Sequence, residues 1–224
     1  MARCPVPKRV LQSDPVRHLR REQGTAMIEF VLATGLLILP MFFGVITVGL
    51  SLVLANQVTE VCRDTGHMYA YLVDFSQDSS KTLVTSQLAQ GLGMTNTGGN
   101  GVIYLSTITL VDASSCTASS LQANSSSCPN MNKFVVTKRI VIGDPTTKNS
   151  TYAPNITPAI ITSTGQISSR DYLTDPSVEA VGFGNVIALT VGQNAYLSEM
   201  FVNPPTGGLW LLFKSNIVAA RSVF

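Results

Sequence analysis

The sequence is poor in the side chains that carry out chemistry. Among 224 residues there are two histidines, His18 and His67, and four cysteines. None of the cysteines forms a CxxC pair or stands beside a histidine, so a zinc site of ordinary spacing is excluded. No GxSxG or SxxK frames a serine nucleophile, no P-loop occurs, and no GxGxxG follows a strand-like run. Catalysis needs a positioned acid, base, nucleophile or metal, and the material for one is missing. The expectation is a protein that is not an enzyme and takes no cofactor or metal.

Charge is scarce as well. Acidic and basic side chains make up 12% of the residues, and the net charge of +2 conceals an asymmetry. Residues 1–24 hold six of the 15 basic groups (Arg3, Lys8, Arg9, Arg17, Arg20, Arg21) against Asp14 and Glu22. From Asn56 onward nine basic residues face ten acidic ones. A nucleic-acid-binding domain would carry positive charge on a folded face or on an arm with aromatic readers, so nucleic acid is not an expected partner. Between Phe30 and Leu54 there is no charge at all. As a helix that run would be about 37 Å long, against a hydrocarbon core of about 30 Å. It is too long for the apolar core of a cleaved secretory signal, and no small-x-small site follows it. The basic cluster before it puts the N-terminus in the cytoplasm and everything after Asn56 outside. This is a single-pass anchor, with lipid as its first partner.

Cys116 and Cys128 bracket "CTASSLQANSSSC", a polar loop between two strand-like segments. In an oxidising compartment the pair is expected to form a disulfide. Cys4 lies in the basic tail. Cys62 is left over on the exported side, either as an inert buried thiol or as an intermolecular link.

The helical pattern continues past the anchor through residues 56–75. Val58, Val61, Cys62, Met68, Tyr69 and Leu72 form one stripe, with Glu60, Arg63 and Asp64 outward. Pro40 removes a backbone donor inside the span, so a kink is expected there. A short helix with Leu83, Leu88 and Leu92 as its stripe precedes a Gly-rich stop. "VIYLSTITLV" (102–111) and "KFVVTKRIVI" (133–142) read as paired antiparallel strands, with Phe134, Val136, Ile140 and Ile142 on one face. From Asp144 to Gly184 periodicity dissolves among prolines, serines and threonines, which suggests an exposed excursion or a binding loop. Strand character returns at 185–191, at 195–202, and from Asn216 to Phe224. The expected fold class is α+β: a long N-terminal transmembrane helix continuing into an exported domain, 76–224, with an antiparallel sheet of four or five strands.

One stretch ties these pieces together. In "RREQGTAMIEFVLATGLLILPMFFGVITVGL" a basic segment leads to Gly24, and Glu29 follows five residues later at the lip of the apolar run. "QGTAMIEF" resembles the processing site of type IV prepilins. Residues 20–75 are similar to the opening of TadE-like proteins, the pseudopilins or minor pilins of tight-adherence (Flp, type IVb) pilus systems. The resemblance implies a leader at 1–24 and a span at 25–55, with a prepilin peptidase cutting between Gly24 and Thr25 on the cytoplasmic side. It also implies other pilins or pseudopilins and an inner-membrane assembly platform as partners, in a bacterial inner membrane or a pilus built from it. The sheet-forming part is long for a major Flp pilin, which points to a minor subunit.

Glu29 has two readings. A carboxylate in the first turn suits the positive end of the helix dipole, whatever else it does. After cleavage it would also stand four residues from a new α-amino group, and in an assembled bundle it would pair with the amine of a neighbouring subunit. It is then an assembly charge rather than a boundary marker. The rival to the pilin reading as a whole is an uncleaved, signal-anchored extracellular binding module whose Thr/Asn-rich loop meets a ligand.

Overall fold

The computed structural model describes residues 25–204 and 217–224. The expected leader with Gly24, Cys4, His18 and the basic cluster lies outside those residues. The described chain divides after Gly49 into two units.

The first unit is helical throughout its described part. It belongs to helix α1, Thr25–Ala70, which is interrupted once by a π-turn at Thr34–Ile38. There Leu39 N–H donates to the carbonyl of Thr34, five residues back, instead of four. In a regular helix the ring of Pro40 would meet the carbonyl one turn before it. The wide turn absorbs that misfit. A kink is expected at Pro40 from the sequence; what the structure shows is a π-turn just ahead of the proline.

The second unit begins with the remainder of α1 and carries a four-stranded antiparallel sheet. Its strands are β1 (Gly101–Leu110), β2 (Phe134–Gly143), β3 (Asn194–Val202) and β4 (Val218–Val223), in the order β2-β1-β3-β4. Short helices fill the connections: α2 (Asp78–Leu83), prolonged by a π-turn to Leu88, α3 (Ala113–Ala118) and α4 (Ser169–Thr174). Asp112 caps α3 by accepting from Ser115 N–H at 2.9 Å, and Ser168 caps α4 by accepting from Asp171 N–H at 3.1 Å.

One face of the sheet packs against α1. Val58, Val61, Cys62 and Tyr69 meet Ile103, Leu105, Ile140, Ile142 and Met200 in one buried cluster. The helix comes very close at Gly66: a Cβ built there would lie 2.5 Å from Phe224 Cε2 and 3.0 Å from Ser198 Cβ. A side chain there would have to push the Phe224 ring aside. Gly66→Val is expected to cost about 1–3 kcal/mol through overpacking. Thermal unfolding followed by circular dichroism checks this, and an unchanged midpoint would mean the helix shifts freely on the sheet.

Helix α1 ends at Ala70 and not at 75, because the chain turns back on itself. Val73 N–H donates to Met68 O and Leu72 N–H to Tyr69 O, both at 3.0 Å, with Leu72 in the left-handed region at φ 65°. This is a Schellman end built without glycine. Leu72, expected on the buried stripe, is instead exposed, and the reversed chain places Phe75 in the core. In α2 and the turn that follows it, Val84, Ala89 and Leu92 are buried and Leu88 partly so, while Leu83 faces out.

A bulge corrects the expected facing of β2. Register slips between Thr107 and Ile108, so that Lys138 faces Thr107, Val136 faces Ile108, and Thr137 is the extra residue. One inserted residue flips the alternation. Ile140 and Ile142 therefore face α1, whereas Phe134 and Val136 belong to the opposite face, with the cluster of Ile108 and Leu197.

That opposite face is covered by the aperiodic stretch 144–184, which is neither an exposed excursion nor a free loop. Tyr152, Ala153, Ile167, Leu173, Val178, Ala180 and Phe183 are all buried in its cluster. The stretch also runs along the outer edge of β2: Arg139 N–H donates to Gly165 O, Ile167 N–H to Thr137 O and Ala180 N–H to Phe134 O, at 2.7–2.9 Å. It is built from single turns at Pro158–Ile160, Pro176–Val178 and Phe183–Asn185 together with isolated bridges, none of which has a period. The strand expected at 185–191 does not form. Val186 and Val191 are exposed, and the segment is an irregular lead into β3.

Candidate functional site

Residues Thr25 to Leu54 of α1 present an unusual surface. Nearly every large apolar side chain is open: Met27, Phe30, Leu36, Met41 and Phe42 are each more than 60% exposed. Gly35, Gly44 and Gly49 would admit a Cβ without meeting any atom within 4 Å. A core helix of a globular domain would have covered such residues, since each large side chain left in water forgoes about 1.5–3 kcal/mol. The surface is matched to lipid or to other helices, and the one apolar helix near the N-terminus fits a single-pass membrane anchor.

Glu29 lies in the first described turn and is exposed, with no ion pair to any described residue. It is four residues after Thr25, so the two share one face of the helix. Their partners in the assumed processing reaction, Gly24 and the leader, lie outside the described residues. Glu29 and Thr25 are thereby placed together.

Cys116 and Cys128 are bonded to one another, and both are fully buried under the sheet. The bond closes the loop that carries α3, whose cap, Asp112, accepts from the hydroxyls of Ser114 and Ser115 and is held well below the usual carboxylate range by them. Replacing both cysteines by alanine is expected to remove about 3 kcal/mol by freeing the unfolded chain. Comparing thermal midpoints with and without reductant measures it, and identical midpoints would mean that the link constrains nothing. Cys62 resolves differently. It is fully buried, its thiol donates to Ser198 O at 3.4 Å, and burial pushes its pKa up. Of the two readings, the structure selects the inert buried thiol. His67 packs its ring on Phe224, 4.3 Å between centroids, which is a packing role.

A second cluster escaped sequence reasoning. Glu199 in β3 is fully buried and Arg139 in β2 nearly so. Arg139 donates to Ser106 Oγ at 3.1 Å and, at 2.7 Å each, to the carbonyls of Ala153 and Tyr152. Glu199 accepts from Ser150 Oγ, from Thr151 N–H at 3.2 Å and from Arg221, whose Nη2 lies 3.2 Å away. Burial lowers the Arg139 pKa to about 10, with the nearby Glu199 charge opposing the fall. These charges clamp residues 150–153 onto the sheet. Arg139 gives one hydrogen bond from each of its three nitrogens, two of them to main chain, and the arrangement acts as a fastener. The legible signal was charge inside two apolar strands, "KRIVI" and "SEMF".

Compared with known proteins, residues 24–67 match the family model described as TadE-like protein. The match starts at Gly24 and runs through Glu29 and the apolar helix as far as His67, so this part of the chain is similar to TadE-like proteins. No curated protein and no solved structure matches the chain.

Proposed function

We propose that the protein is a minor pilin or pseudopilin of a tight-adherence type IVb pilus or a related secretion filament, structural and not catalytic. It inserts in the bacterial inner membrane with its N-terminus in the cytoplasm and its sheet domain exported. A prepilin peptidase removes residues 1–24 between Gly24 and Thr25, and the processed subunit joins other pilins through the assembly platform to prime, cap or decorate the filament. The observation that carries this reading is the uncovered apolar surface of residues 25–54 inside a TadE-like match that begins at Gly24. A surface of that kind is complementary both to lipid and to the same surface on another subunit, which is what passage from membrane to filament requires.

The test is the intact mass of the protein after co-expression with an active prepilin peptidase. Loss of residues 1–24 is the expected result. Gly24→Val should block the loss more strongly than Gly24→Ala, because the enzyme must approach the backbone closely at that position. An intact chain in the presence of a peptidase that cleaves a control pilin would overturn the reading in favour of an uncleaved anchor.

A further inference from the structure

At the end of α1 remote from the apolar run, an open cleft of about 420 Å³ lies between the helix terminus and the sheet, lined among others by Tyr69, Asp74, Lys138, Gln166, Asn194 and Tyr196. Tyr69 is about 22 Å beyond Leu54 along the helix by its rise per residue. We propose that this cleft binds an N-acetylated amino sugar of a glycan chain.

Four observations on the second unit carry the proposal, independently of whether the protein is a pilin. The lining offers hydrogen-bonding groups that the protein does not use: among the described residues no hydrogen bond reaches the side chains of Lys138, Gln166 or Asn194, or the hydroxyl of Tyr196. The two tyrosine rings are fixed. Tyr69 is buried and bonds Thr107 Oγ1 at 2.8 Å, and Tyr196 stands edge-on to it at 5.6 Å. The part-exposed ring of Tyr196 offers a platform for the apolar face of a pyranose. The charges oppose one another. Asp74, whose carboxylate is held below its usual range by Ser76, faces the same cleft as Lys138. That pairing disfavours a strongly charged ligand, while hydroxyl groups can donate to one and accept from the other. Finally, Leu72 and Val73 form an apolar rim, and Leu72 is held in the left-handed region with its side chain in solvent.

An acetamido sugar answers these features together: a ring face for Tyr196, hydroxyls for Asp74 and Lys138, an amide for Asn194 and Gln166, and a methyl for the rim. A polypeptide adding itself as a strand is the poorer fit, since the neighbouring edge of β2 is already taken by Gly165 and Ile167.

The experiment uses the full chain in lipid nanodiscs, free of glycosidic detergent, with di-N-acetylchitobiose as probe and saturation-transfer NMR as readout. Cellobiose, which has the same linkage without acetamido groups, is the control. The expected result is transfer to the acetyl methyls, little transfer to cellobiose, and a loss of roughly tenfold in affinity in Asn194→Ala or Lys138→Ala, with circular dichroism unchanged. Absence of transfer from chitobiose overturns the proposal. So does equal transfer from cellobiose, or wild-type affinity in both variants. Displacement of chitobiose by a soluble Gly-Ser-Thr-Asn peptide but not by free N-acetylglucosamine would reassign the cleft to a polypeptide.

Discussion

Arg139→Met is expected to lower the stability of the sheet domain by about 3 kcal/mol, far more than its conservative volume suggests. Methionine fills the space but donates nothing: Ser106 Oγ and the carbonyl of Ala153 lose their partner, and the carbonyl of Tyr152 is left with Ser150 Oγ at 2.9 Å. A buried acceptor stripped of its donor costs about 1–3 kcal/mol, and only the serine can turn to find another. Glu199 keeps Arg221 and Thr151, so the loss falls mainly on the segment that Arg139 ties down. For a chain of this size the midpoint of thermal unfolding should drop by about 6–12 °C. Hydrogen exchange should quicken first around residues 150–153. The comparison that gives this meaning is Lys133→Met. Lys133 pairs with Glu179 at 2.8 Å, but both side chains are more than a quarter exposed, and such a pair is worth about 0–1 kcal/mol. Equal shifts in the two variants would mean that the buried arginine is no clamp.

The same cluster shows where the sequence stops being readable. Helix α1 and strands β1 to β3 announce themselves, because an uncharged run of membrane length and dense β-branched stretches leave few alternatives. The bulge at Thr137 does not, since nothing in "FVVTKRIVI" marks one residue as extra. Missing it by a single position moved Phe134 and Val136 to the wrong face of the sheet. The end of α1 was hidden for a related reason: its left-handed closing residue is Leu72 where glycine is the usual signal. The largest gap was the stretch 144–184. Its core residues are held by isolated turns and by carbonyls aimed at Arg139, so their spacing follows no rule of helix or strand. Conversely, 185–191 has strand composition without a strand, because composition supplies propensity and a strand needs a neighbour with a free edge. Of the candidate site, the span and the cysteine pair were legible. Arg139 and Glu199 were visible only as charges out of place.

Glu29→Gln is expected to leave insertion and processing intact while sharply reducing incorporation into a filament. Glutamine keeps the size and much of the hydrogen-bonding capacity of the side chain and deletes its charge. At the membrane boundary an uncharged residue is the easier one to bury, so the anchor itself loses nothing. A peptidase acting as proposed between Gly24 and Thr25 would meet an unchanged backbone. In the assembled state proposed above, the new α-amino group of one subunit faces the Glu29 carboxylate of its neighbour inside a bundle of apolar helices. Removing one partner of such a pair leaves the amine desolvated without a counter-charge, at a cost of about 3–5 kcal/mol per contact. The cost recurs at every subunit interface that uses the pair, so a modest energy becomes a large loss of recovery. Glu29→Asp separates charge from reach: a shorter carboxylate should restore part of the recovery, which a mere volume effect would not. The measurement is the amount of processed protein that co-purifies with sheared filaments or with partner pilins in detergent, relative to the amount in the membrane. Equal recovery of Glu29→Gln and the wild type would retire the pairing and leave Glu29 as a first-turn charge at the lipid interface, where its interaction with the helix dipole is worth about 0.3–1 kcal/mol.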